Sequence, residues 1–218
     1  MRVVIAGGHG KIALLLERLL ANRGDQAVGL IRNPAQAADV QQTGAEAVVC
    51  DLEAASADDV AVLLSGADAV VFAAGAGPGS GAPRKDSVDR AASVLMAGAA
   101  GRAGVRRFVQ ISSMGAGQPP RPGTDEVWAA YITAKTAAED DLRSQDLDWT
   151  IVRPGRLTDA PATGKIRLAA PPVPAGAVPR ADVAAVIAAL LDEPGTSHQT
   201  LELTSGDSPV ATAVRSIS

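Results

Sequence analysis

Aromatic side chains are scarce in this chain: two tryptophans, two phenylalanines and a single tyrosine among 218 residues, 2% of the total. Cysteine is scarcer still. Cys50 stands alone, which excludes an internal disulfide and fits a reducing compartment. Its neighbours Val48 and Val49 are apolar, so a buried structural thiol is expected there rather than a nucleophile. Lysine numbers only four, and basic residues are scattered. With a net charge of −4 and so few rings, the chain offers neither the basic surface nor the stacking platform of a nucleic-acid-binding protein. No apolar run approaches the length of a membrane span. The N-terminus reads as a strand, not as a charged segment followed by a signal-peptide core. A cytoplasmic protein is expected, acting on a small molecule, as monomer or homodimer, without a metal site.

What the chain does have is alternation. Strand patterns are expected at 2–6, 27–31, 46–50, 68–73, 106–112, 148–153 and near 200–204. Helical patterns lie between them at 11–23, 35–43, 57–65, 86–103 and 128–145, then at 180–192. Strands separated by helices imply βαβ units with right-handed crossovers, hence a parallel sheet covered on both faces. The length suits one domain spanning 1–218. Two stretches break the rhythm: Gly75 to Pro83, and the proline-rich Thr158 to Pro179. Loops leaving the C-terminal ends of parallel strands are where α/β proteins hold ligands, so both are candidate pocket walls or else plain surface connections.

The first turn carries the clearest chemistry. The apolar run Val3 to Ile5 meets Gly7, Gly8, His9 and Gly10, and an apolar helical pattern follows from Lys11 and Ile12 onward. A strand, a glycine turn and a helix N-terminus make an anion site, because the first-turn amides and the helix dipole suit a pyrophosphate. The spacing Gly7-x-x-Gly10-x-x-Ala13 differs from G-x-G-x-x-G. Gly10 lets backbone approach phosphate, and Ala13 is small enough for helix to pack on strand.

Each later strand end offers a candidate. Arg32 stands after the second strand with no carboxylate beside it in sequence, which favours the 2′-phosphate of NADP(H) over the ribose of NAD, unless the arginine is merely solvated. After the third strand, Asp51 could accept from an adenine amino group with Leu52 against the ring, or simply cap the turn. Ala73, Ala74 and Gly75 are small enough for a cofactor to lie over the sheet. Ser112 and Ser113 end the fifth strand, where a hydroxyl could polarise a substrate carbonyl or cap a turn. Asp86, Asp89 and His9 are weaker candidates, Asp89 as an anchor for the following helix N-terminus; His198 is expected to be structural.

The decisive pair is Tyr131 and Lys135. The only tyrosine has a lysine four residues on, in a chain with four lysines in all. At helical spacing both side chains share a face. A phenol alone is a poor acid–base group at neutral pH, and a neighbouring ammonium favours its phenolate form.

Together, Gly7-x-x-Gly10-x-x-Ala13, Arg32, Asp51-Leu52, Ser112-Ser113, Tyr131-x-x-x-Lys135 and Arg153-Pro154-Gly155 resemble the short-chain dehydrogenase/reductase superfamily. The chain is similar to its atypical branch of small NAD(P)-binding, NAD-dependent epimerase/dehydratase-like proteins. Gly104 to Val109, Leu147 to Gly155, Arg180 to Ala184 and Gly206 to Pro209 match as well, so the resemblance spans the chain. It implies a Rossmann-type doubly wound α/β fold, with 154–180 forming a small C-terminal substrate lobe. It implies NADP(H), with Gly7 to Ile12 at the pyrophosphate, Arg32 at the 2′-phosphate and Asp51-Leu52 at adenine. Ala73 to Gly75 would lie beside the nicotinamide ribose, Lys135 would reach ribose hydroxyls, and Pro154, Gly155, Arg156 and Leu157 would border the nicotinamide. The expected activity is reduction of a small carbonyl or unsaturated compound through the Tyr/Lys pair. The alternative is a catalytically weak NADP(H) sensor; a small epimerase/dehydratase is disfavoured because the C-terminal lobe is too small for a nucleotide-sugar.

Overall fold

The computed structural model describes residues 1–77, 79–120 and 123–217; Pro78, in the glycine-rich loop, lies outside them. Strand β1 (Arg2–Ala6) is an interior strand of the sheet, and its residues show how the molecule is layered. Val3 and Ile5 face one hydrophobic cluster, Val4 and Ala6 the other, as the two-residue period of a strand requires. Helix α1 (Lys11–Asn22) covers the first face, burying Ala13, Leu16 and Leu20. Full burial of each leucine contributes about 1.5–3 kcal/mol relative to exposure. One buried residue of α1 is not apolar: Glu17 is fully enclosed.

Around β1 lie β2 (Gln26–Ile31), β3 (Glu46–Val49), β4 (Ala69–Phe72), β5 (Arg107–Ile111), β6 (Asp148–Pro154) and β10 (Gln199–Ser205), all parallel. The order 3-2-1-4-5-6 reverses direction between β1 and β4, the topological switch point at which Rossmann folds open a ligand crevice. Helix α2 (Ala37–Gln41) and helix α7 (Arg180–Leu191) share the face of α1, while α3 (Ala57–Leu64), α5 (Ala92–Ala103) and α6 (Glu126–Ser144) lie on the other. This is the expected doubly wound α/β architecture.

Three details differ from the expected pattern. The sheet is not wholly parallel: β8 (Lys165–Ala169) and β11 (Ser208–Pro209) extend it antiparallel beyond β10. The segment 154–180 is therefore divided. Its middle strand completes the main sheet, while β7 (Arg156–Thr158) and β9 (Ala177–Pro179) pair apart as a two-stranded ribbon. They are held close by small residues: a Cβ on Gly155 would collide with the carbonyl oxygen of Gly176. A terminal helix, α8 (Val210–Arg215), was not legible. Finally, the helix expected at 86–103 starts earlier, as a short turn α4 (Ala82–Arg84) and a π-helical turn over Lys85–Ala91, before continuing as α5.

Candidate functional site

The turn after β1 is built to leave amides bare. Gly7 has φ +78°, and a Cβ there would lie 2.7 Å from Ala74 Cα, so backbone meets backbone at the switch point. Gly10 is the N-cap of α1, with no side chain to fold back on the first-turn N–H groups and no acidic residue in that turn. An uncapped positive helix end at the mouth of a crevice fits a phosphate-bearing ligand. The other residues of the turn are less available. The Gly8 amide donates to Leu30 O at 2.9 Å, a bond that fastens the turn to β2. His9 Nε2 meets Asp39 at 2.8 Å. Lys11 reaches across to Asp159, which also holds Arg180; both contacts are 2.6 Å.

A groove of about 360 Å³ runs from this turn over the ends of β2, β3 and β4, lined by Gly7, Gly10, Arg32, Asp51, Leu52 and Ala73 among others. Arg32 stands at its edge, but not unaccompanied. Glu53 accepts from Arg32 and from Arg84, each at 2.8 Å, and from the Ser87 hydroxyl at 2.6 Å. The Ser87 hydrogen bond, with the two guanidiniums, holds the Glu53 carboxyl below the usual carboxylate range. Asp51 does cap its turn, accepting from the Glu53 amide at 3.1 Å, while still lining the groove. Cys50 departs from expectation: it is only partly buried and forms part of the groove wall. Burial, then the neighbouring Asp51 and Asp59, push its thiol up, which favours the protonated form.

Ala73, Ala74 and Gly75 also floor a second, larger and mainly apolar pocket of about 1010 Å³. Ile12, Ser113 and Pro154 to Leu157 line it, as do Tyr131 and Lys135. Helix α6 presents the pair because Asp125 caps it, accepting from Trp128 N–H at 3.0 Å, and fixes where the first turn begins. Lys135 is buried, its ammonium 3.2 Å from both Asp89 Oδ1 and Ile111 O and 5.7 Å from the centre of the Tyr131 ring. Asp89 is thus not a helix anchor. It sits inside the π-helical turn, accepting from Ala76 N–H at 3.2 Å and pairing with Lys135. Asp86 pairs with Arg90 on the surface.

The two serines part company. Ser112 donates to the wholly buried Glu139, which also binds Arg153 Nε at 2.9 Å and Arg143 at 2.8 Å. That hydroxyl ties β5 to α6 and β6. Ser113 is half-buried, its hydroxyl donating to Met114 O at 3.3 Å. His198 is structural, bonding Leu147 O at 3.0 Å and meeting Trp149 edge-on.

Sequence reasoning missed four residues of these cavities. Glu53 and Arg84 join Arg32 only through the fold. Trp128 lies half-exposed at the larger pocket, 5.3 Å from the Tyr131 ring. Lys85 is buried beside Tyr131, its ammonium 5.3 Å from the ring centre. No local pattern marked Lys85: the fold brings it and Lys135, two of the four lysines, to the one tyrosine.

Residues 7–194 match the family model described as NAD(P)H-binding. The chain is 34% identical, over the full length of both, to the uncharacterized sugar epimerase YhfK of Bacillus subtilis. Among solved structures it is similar to a Bacillus halodurans protein assigned by name to the NAD-dependent epimerase/dehydratases, with 36% identity, a TM-score of 0.90 and 99% of each chain covered. It is also similar to ChuY, an anaerobillin reductase of Escherichia coli O157:H7, with 28% identity, a TM-score of 0.78, and 95% and 98% of the two chains covered. The chain belongs to the NAD(P)H-binding family.

Proposed function

We propose that this member of the NAD(P)H-binding family is an NADP(H)-dependent reductase of a small carbonyl or otherwise unsaturated compound. The observation that carries the reading is the setting of Tyr131. Its ring centre lies within 5.3 Å of the Lys85 ammonium and 5.7 Å of the Lys135 ammonium, in an apolar pocket whose floor, Ala73 to Gly75, continues into the groove beside the glycine turn. Two nearby cations stabilise the negative charge left on the phenolic oxygen once its proton has passed to a substrate oxygen. Asp89 and Ile111 O fix the Lys135 ammonium, so that charge is held rather than mobile. Ser113 is the serine available to donate to a substrate carbonyl, since Ser112 is committed to Glu139.

The residues that would hold the dinucleotide fit it. Gly7, Gly10 and the first-turn amides of α1 suit the pyrophosphate, Asp51 and Leu52 the adenine, and Pro154 to Leu157 the nicotinamide end. When bound, the reduced nicotinamide supplies hydride. Two guanidiniums at the groove edge, Arg32 and Arg84, share the Glu53 carboxylate, and their remaining donors support NADP(H) over NAD(H).

The test is NADPH oxidation across a panel of carbonyl compounds and quinones, with Tyr131→Phe alongside. The variant should lose about 10²–10⁴-fold in turnover, the usual contribution of a positioned acid–base group; undiminished turnover would remove Tyr131 from the chemistry. A second reading, an NADP(H)-responsive binding protein, draws on the serines: one hydroxyl is consumed by Glu139 and the other turns to its neighbour's carbonyl. Tight NADPH binding with no consumption anywhere in the panel would favour it.

A further inference from the structure

Lys85 is 8% exposed, yet has no counter-ion among the described residues. Its ammonium donates to Gly77 O at 2.9 Å and otherwise faces the Tyr131 ring. Three neighbouring carboxylates are paired with other cations, Asp89 with Lys135, Asp86 with Arg90 and Glu53 with Arg32 and Arg84, and Asp125, on the same pocket, caps α6 without an ion pair to Lys85. The contrast with Lys135 is direct, since that lysine is as deeply buried but has Asp89 beside it. The ammonium carries three donors, of which one is used here. The cation borders a cavity whose walls are mainly apolar, Ile12, Ile111 and Trp128 among them, with Asp125, Arg156 and Arg180 as charged residues farther along the lining.

We propose that the missing counter-ion arrives with the substrate: the pocket takes an apolar molecule bearing a carboxylate or similarly compact anion, which pairs with Lys85 beside Tyr131. This rests on the reading of the larger pocket as the substrate site. The apolar walls accept the body of the molecule, and the ammonium selects its charged end. Because Lys85 and Tyr131 are adjacent, the anion and the reducible group lie toward the same end of the ligand. A neutral analogue of the same shape leaves the buried ammonium unpaired and binds less well.

Equilibrium binding tests this without turnover. The full-length protein is titrated with 8-anilinonaphthalene-1-sulfonate, an apolar anion, and with the uncharged N-phenyl-1-naphthylamine, both followed by dye fluorescence. Lys85→Met, which keeps the volume and removes the charge, should weaken the anion about tenfold while changing the neutral dye less than twofold. Lys85→Arg should keep the anion preference, and Lys85→Gln should lose it. Equal weakening of both dyes by Lys85→Met, or no change in either, overturns the assignment. The reductase reading fails separately: charge selectivity at Lys85 without any NADPH turnover sinks that reading alone. Turnover that depends on Tyr131 without charge selectivity sinks this one alone.

Discussion

Replacing Glu17 by glutamine should flatten the pH dependence of stability above pH 5. Glu17 is fully buried in α1, beneath the glycine turn, where Oε2 accepts from the Thr43 hydroxyl at 3.3 Å and Oε1 has no partner among the described residues. Burial raises its pKa from the ordinary 4.5 to about 8, and the Thr43 hydrogen bond offsets only part of that. Below pH 4.5 both folded and unfolded chains hold the proton, and the contribution of this group is complete. As pH rises from 4.5 toward 8 the unfolded chain loses its proton and the folded one keeps it. Stability then falls by about 1.4 kcal/mol per pH unit, and the fall ends above the folded pKa. Between pH 5 and pH 7.5 the loss is on the order of 3 kcal/mol, enough to matter against a typical 5–15 kcal/mol total. Glutamine has the same shape and does not ionise. Urea denaturation of both proteins without cofactor, at half-unit intervals from pH 5 to pH 8, gives the difference directly, and contributions from the histidines cancel. The expected result is a Glu17→Gln advantage that grows with pH to about 3 kcal/mol. Parallel curves would refute the reasoning, because they would mean that the enclosed carboxyl ionises as freely as in the unfolded chain.

Arg32→Ala should weaken NADP(H) by about 1.5–3 kcal/mol, the worth of a charged hydrogen bond, and NAD(H) much less; isothermal titration with both cofactors decides it. Glu53→Gln should act in the opposite direction, tightening NADP(H) several-fold, since a 2′-phosphate would no longer compete with a carboxylate for Arg32 and Arg84; unchanged NADP(H) affinity would remove Glu53 from the groove's electrostatics. Gly155→Ala should lower the thermal midpoint, because its Cβ strikes the Gly176 carbonyl and the backbone must shift, at about 1–3 kcal/mol. The control is Gly98→Ala in α5, which meets nothing within 4 Å and should stabilise by up to about 1 kcal/mol.

The parts of the fold legible in the sequence were those set by local periodicity. Val3 to Ile5, the glycines and the leucines of α1 announce strand, turn and helix within twenty residues, and Tyr131 and Lys135 announce a shared helix face. What stayed hidden depends on distance in the chain. Glu53 and Arg84 are 31 residues apart, and no local pattern says that one bridges the other to Arg32. The strands β7 and β9 have three residues each, too short for a two-residue period to stand out among prolines. Ser112 and Ser113 are neighbours on a strand end, so their side chains diverge. Only the location of Glu139, 27 residues on from Ser112, decides which is occupied. Lys85 was missed because α-helical spacing, applied backward from α5, does not describe the turn that carries it.

That π-helical turn sets a rotational phase. Helix α5 is locked by Ala92, Met96, Ala97 and Ala100 in the core, so its azimuth is fixed from the C-terminal side. An α-helix advances about 100° per residue, and a π turn holds one residue more than an α turn of the same connection. Everything upstream of the turn is therefore swung round by roughly one residue's angle relative to an uninterrupted helix. Lys85 faces Tyr131, and Asp89 faces Lys135, because of that offset. Shortening the turn by a single residue would leave α5 and the core as they are. It would carry the lysine about a quarter-turn round the axis, out of the cleft and toward solvent. The charge pattern of the larger pocket is thus encoded by chain length at one turn as much as by the identity of the side chains there.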